Sequence, residues 1–249
     1  MNQVLLRTIL ATAIAGSASG LGAVALALWG DISRKTYSTV LGFSAGVMFG
    51  LSSLVLLPGA LQAGSVFSAV AGLVLGGAFV TAMERLLPHL EPHFGAEEFS
   101  PGLEDAVLLT VAVAIHNIPE GLAMGLGYAA GGETMGPQLA IAVAFQNIPE
   151  GLAISLPLRR NGVNRWLTVA FATFSGMSEV VGAIAGVLGG SHLSALLPLG
   201  LAFAAGALIY VTADQLIPEA HDSTALPSWG VISGFALVLL VGWYAQAVL

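Results

Sequence analysis

AVAIHNIPEGLAMGLG, residues 112–127, sets a histidine, an asparagine and a glutamate around a proline in the middle of an apolar run. Thirty positions later AVAFQNIPEGLAISLP, residues 142–157, repeats the arrangement. His116 and Glu120 are four residues apart, as are Gln146 and Glu150, so on a helix each pair shares a face one turn apart. An ionised carboxylate at the centre of a membrane helix costs roughly 2.5–3.5 kcal/mol on insertion scales. Two such clusters in hydrophobic surroundings call for water, protons or a cation to compensate them.

The rest of the chain makes those surroundings a membrane. Of 249 residues, 56% are hydrophobic and 8% are charged, and the mean hydropathy is +0.89. A soluble domain carries roughly 25% charged residues, so this chain cannot build a water-facing surface. Apolar runs long enough to span a bilayer recur throughout, predicting an all-α polytopic membrane protein that forms a single transmembrane domain over 1–249. There is no cysteine, which excludes disulfides and thiolate metal sites. A net charge of -7 without a basic patch gives no expectation of nucleic acid.

Eight spans are read, at about 8–29, 37–58, 65–87, 103–127, 136–158, 165–189, 195–218 and 227–249. Arg7 ahead of an apolar stretch ending in small residues near Ser19 also fits a signal peptide, although the run continues unbroken to Trp29, longer than a signal h-region. Arg34, Lys35, Arg85, Arg159, Arg160 and Arg165 all lie beside the first, third and fifth connections, and only Arg7 lies on the other side. This asymmetry predicts that those loops face the cytoplasm of a cell (inner) membrane and that both termini lie outside. Glycines four apart, such as Gly42, Gly46 and Gly50 or Gly182, Gly186 and Gly190, predict a tight bundle.

One short connection joins the two motif-bearing spans, so they run antiparallel and the motifs form an inverted pair near mid-membrane. Pro119 and Pro149 each remove an amide donor and free the carbonyls of Ile115 and Phe145 beside the polar side chains. Imidazole with carboxylate, amide oxygen and thioether describes a borderline divalent metal such as zinc, iron or manganese. The sixth span adds Ser175, Ser178 and Glu179, the second adds Met48, and the seventh adds Asp214 and Gln215. A lone buried His–Glu pair would read as a structural or proton-relaying pair; two inverted copies and a third buried glutamate favour a cation site.

HNIPEG at 116–121 and QNIPEG at 146–151 resemble the paired signatures of the ZIP (Zrt/Irt-like) divalent metal transporters, and the glutamine opening the second is similar to the bacterial GufA-like branch. The resemblance implies uptake of zinc, with Fe²⁺, Mn²⁺ and Cd²⁺ as alternatives, toward the cytoplasm through a binuclear site between the fourth and fifth helices. It implies a metal set of His116, Asn117, Glu120, Gln146, Asn147, Glu150 and Glu179, with Met48 beside the first metal and Asp214 near the transport path. His89, Glu91 and His93 fall in a loop that is often metal-binding in the family, where ordinary loop polarity is the other reading. Some relatives carry aspartate where this chain has Asn147, so a second metal here is expected to be weak, regulatory or missing.

The competing readings are a metal-dependent intramembrane hydrolase and a non-transporting metal sensor. The chain has neither an HExxH motif, a Gly-x-Ser-x-Gly elbow nor a phosphate-binding loop, so it is read as no enzyme. Its expected partners are divalent ions and the lipid bilayer, with a homodimer as an open question of assembly.

Overall fold

The computed structural model describes residues 2–90, 101–130, 132–192, 194–221 and 224–248, and no strand occurs among them. The helices are α1 (Asn2–Trp29), α2 (Arg34–Ala63), α3 (Val66–Leu90), α4 (Pro101–Ala130), α5 (Gly132–Arg160), α6 (Arg165–Met177 and Glu179–His192), α7 (Leu197–Ala220) and α8 (Leu226–Val248). Seven of them, all but α4, are long and apolar enough among the described residues to cross a membrane. The remaining helix, α4, has 30 residues and carries the first motif. This matches the eight spans read from hydropathy.

Local chemistry marks the helix starts and bends. The side chain of Ser33 accepts from the Thr36 amide at the start of α2, and Asn164 accepts from the Trp166 amide at the start of α6. Both α2 and α7 contain a π-turn, Leu51–Leu56 and Thr212–Leu216, just ahead of Pro58 and Pro218. A proline cannot donate to the carbonyl a turn earlier and crowds it, and the wider turn absorbs that conflict. By contrast, α4 and α5 remain helical through Pro119 and Pro149.

The helices pack as α2 with α8, α3 with α7, α1 with α5, and α4 with the second half of α6. Helices α1, α4, α5 and α6 thus form one group and α2, α3, α7 and α8 another, joined where α2 meets α5 and α7 meets α4. The motif glycines explain two of these seams. A side chain at Gly121 would overlap the Glu179 carbonyl of α6, and one at Gly151 would overlap the Ser19 carbonyl of α1. Lipid tails offer no hydrophobic gain for helix pairing, so close backbone approach supplies the contact area. Leu10, Ile14, Phe67, Val74 and Leu240 face outward, as expected for a lipid-facing shell. Exposed Trp29, Trp166 and Trp229 lie at one end of the bundle, the placement expected of tryptophans at a membrane interface.

Candidate metal centre

The two motifs meet through their side chains. Gln146 of α5 donates from Nε2 to Oε1 of Glu120 on α4 at 2.7 Å, and the same nitrogen lies 3.5 Å from Oε2 of Glu150. One amide therefore bridges both carboxylates. Glu120 is 2% exposed and Glu150 9%, so neither relies on bulk water for solvation.

A second cluster lies deeper, between α1, α5 and α6. Asn147 donates from Nδ2 to Oε1 of Glu179 at 2.6 Å and to the Ala15 carbonyl at 2.8 Å. The α-helix of α6 is interrupted at Ser178, whose single hydroxyl hydrogen is shared between the carbonyls of Ala114 at 2.7 Å and Ser175 at 2.6 Å. This break starts a new helical segment at Glu179. The Ser175 carbonyl also accepts from the Ser178 amide at 3.1 Å and from Asn117 Nδ2 at 3.3 Å. The whole of Arg165–Gly190 remains one span, as the hydropathy predicts, and competition by the serine hydroxyl for backbone carbonyls accounts for the local irregularity at Ser178.

Five oxygens at these clusters are buried without a hydrogen-bond partner in the protein: Glu120 Oε2, Glu150 Oε1, Glu179 Oε2, Gln146 Oε1 and Asn147 Oδ1. Buried polar atoms are nearly always partnered, and an orphan costs roughly 1–3 kcal/mol, more when charged. All five lie on the side chains of the two adjoining clusters. Among the described residues, however, no three His, Cys, Asp or Glu side chains are gathered closely enough to enclose a metal by themselves. The donor set is mixed, carboxylate with carboxamide, and the amide nitrogens now occupy several of the acceptor positions.

A cavity of about 610 Å³ leads away from the first cluster. His116, Asn117, Glu120 and Glu150 line its inner end with Met48, and Asp214 and Gln215 line its α7 wall. It continues past Ser44 to Tyr37 and Glu219, at the end of the bundle where Arg34 pairs with Glu219 at 3.4 Å. Beyond the cluster in the other direction, Leu51, Leu56, Met124, Leu139 and Leu201 form part of a fully buried apolar core.

The structure thus places His116, Asn117, Glu120, Glu150, Met48 and Asp214 on one cavity, and Asn147 with Glu179 in the adjoining buried cluster, with Gln146 between them. Asp214 is exposed where the others are buried or half-buried. His89 lies in the last turn of α3, and Glu91 and His93 lie outside the described residues. Sequence reasoning missed Glu84, whose carboxylate accepts from Tyr210 at 3.0 Å and from Gln215. Its place as the lone acidic residue within the third span, beside Arg85, was the available signal.

Comparison with known proteins agrees with the motif reading. A family model described as ZIP Zinc transporter matches residues 95–242. The chain is 36% identical to the zinc transporter GufA of Myxococcus xanthus, over 94% of this chain and 98% of that protein. It is 35% identical to the zinc transporter ZupT of Corynebacterium glutamicum, over 92% of this chain and 95% of that one. The zinc transporter ZIP11 of Xenopus tropicalis is 46% identical over 60% of this chain and 47% of its own length.

Proposed function

Since the chain belongs to the ZIP zinc transporter family, we propose that it carries zinc across the membrane to the cytoplasm, through the polar clusters between α4 and α5. The observation that supports this most is the set of five unpartnered buried oxygens on Glu120, Glu150, Glu179, Gln146 and Asn147. No lysine or arginine lies in the central part of any helix to neutralise the carboxylates, so their compensation falls to protons, water or a cation, and a cation matches the unfilled acceptors.

The basic residues orient the passage. With Arg34, Arg159, Arg160 and Arg165 in the cytoplasm and both termini outside, the cavity mouth at Tyr37 and Glu219 faces inward. The packed leucines and Met124 then close the outer side, so the chain has an inward-open form. A zinc ion at the inner end would draw on His116, Glu120 and Glu150, with Met48 beside it, and leave along the Asp214 wall. Asn147 and Glu179 form a second, closed position. Iron, manganese and cadmium share enough ligand chemistry to be tested as further cargo.

Purified protein in liposomes loaded with a metal indicator decides the matter. Zinc influx is expected from wild type, with Glu120→Gln/Glu150→Gln losing most of it while remaining folded. Wild-type flux through that folded double variant ends the site assignment. Metal binding without any flux from wild type favours the sensor reading instead.

A further inference from the structure

A polar chain reaches the site from outside the two motifs. Glu84 on α3 accepts from the Tyr210 hydroxyl at Oε2 and from Gln215 Nε2 at Oε1, both donors lying on α7. The same Gln215 nitrogen is 3.4 Å from Nε2 of His116 on α4. A carboxamide nitrogen carries two hydrogens and no free acceptor lone pair. One hydrogen goes to Glu84, so the contact with the imidazole requires His116 Nε2 to accept the other. Turning the amide over would set its oxygen against the Glu84 carboxylate, so Glu84 dictates which end of Gln215 faces the histidine.

We propose that Gln215, oriented by Glu84, is a positioning residue that selects the Nδ1–H tautomer of His116 and occupies the Nε2 lone pair a metal must take. The proposal rests on the reading of His116 as a ligand to the cargo. The ring nitrogen that binds a metal is set by the hydrogen bond its neighbours impose, and a neutral imidazole offers a single lone pair. Gln215 therefore prepares that lone pair and competes for it. The competition has a mechanical side, because α4 and α7 belong to the two different helix groups. An ion that displaces the Gln215 N–H removes a polar link between them.

The pattern is shared by the neighbouring clusters. Gln146 Nε2 sits on Glu120 and Glu150, and Asn147 Nδ2 on Glu179, in the way Gln215 Nε2 sits on His116. In each case an amide N–H fills an acceptor position that a cation would fill. Gln215 differs in being anchored by a separate carboxylate, which makes its role separable from that of the motifs.

Histidine labelled with nitrogen-15, in protein reconstituted into nanodiscs, reports which ring nitrogen of His116 carries the proton. The chain has five histidines, and His116→Asn identifies the relevant signals by difference. Metal-free wild type is expected to show the proton on Nδ1. The exchange variant Glu84→Gln/Gln215→Glu keeps a bond between the two positions but presents a carboxylate to the imidazole, and should move the proton to Nε2. A separate variant, Gln215→Leu, should bind zinc roughly two- to tenfold more tightly by calorimetry, the equivalent of one neutral hydrogen bond. An Nε2–H ring in wild type, or an unmoved proton in the exchange variant, overturns the proposal. So does wild-type zinc affinity in a folded Gln215→Leu protein; if that variant does not fold, the exchange variant decides alone. If wild type binds no zinc, the transport reading falls while the tautomer measurement still judges this one.

Discussion

Asn147 shows how one side chain sets the character of a buried site. Its amide gives both hydrogens away, to Glu179 and to the Ala15 carbonyl, and so stands as a neutral donor against the buried carboxylate. Asn147→Asp removes both donors and places a carboxylate against Glu179. Two like charges about 4 Å apart repel by about 4 kcal/mol at an effective dielectric near 20. The metal-free variant is therefore expected to melt earlier than wild type, and added zinc should restore it, because a ligand bound only by the folded state stabilises that state. Calorimetry should also count an additional metal, with unchanged or lower maximal flux, since an ion held more firmly leaves more slowly. Thermal stability insensitive to zinc would show that Asn147 serves packing alone. At this scale the doubled HNIPEG and QNIPEG spacing named most of the side chains that the structure gathers at the cavity and the adjoining buried cluster. It could not show that Gln146 and Asn147 point nitrogen rather than oxygen at the glutamates, because that choice depends on neighbours from other helices.

The helices follow the hydropathy pattern closely, and the departures from it have local causes. Proline positions are visible in the sequence, but two elicit π-turns while Pro119 and Pro149 do not break their helices. The outcome depends on what the neighbouring helices offer the displaced carbonyls. The break at Ser178 was illegible for the same reason, since its hydroxyl bonds to Ala114 on a different helix. Packing glycines show the same division. Gly182 and Gly189 lie in one helical segment, yet a side chain at Gly182 would strike the Ile118 carbonyl, whereas nothing lies within 4 Å of one at Gly189. Gly182→Ala should destabilise the folded protein by about 1–3 kcal/mol, the usual cost of overpacking, and lower zinc flux by displacing α6 from α4. Gly189→Ala should be neutral or slightly stabilising. Equal melting temperatures for the two variants would show that the α4–α6 seam is looser than the structure has it.

For the whole molecule, the arrangement of charge and cavity makes a prediction about sidedness. A cysteine at exposed Asn161 should react with a membrane-impermeant thiol reagent only from the cytoplasmic side. One at half-buried Ala153, on the cavity wall, should react from that same side, and zinc should slow the reaction. The native chain has no cysteine, so each label reports one site. Labelling of Asn161→Cys from outside intact cells would reverse the orientation, and with it the direction in which the cavity opens.

The sequence by itself determined the membrane class, the spans, the charge asymmetry and the pair of inverted motifs. These depend on composition and on spacing along single helices, which the bilayer and the 3.6-residue turn convert directly into structure. Only the tertiary structure decided that Glu84 reaches His116 through Gln215, that Glu179 begins a new helical segment, and that a cavity runs from the first cluster to Tyr37 and Glu219. Each of these is a contact between residues far apart in the chain. Hydropathy gives the length of a helix and its apolar faces, but not the depth and rotation at which it meets its neighbours. Those are fixed by backbone approach at glycines such as Gly121 and Gly151 and by competition for hydrogen bonds where water is excluded.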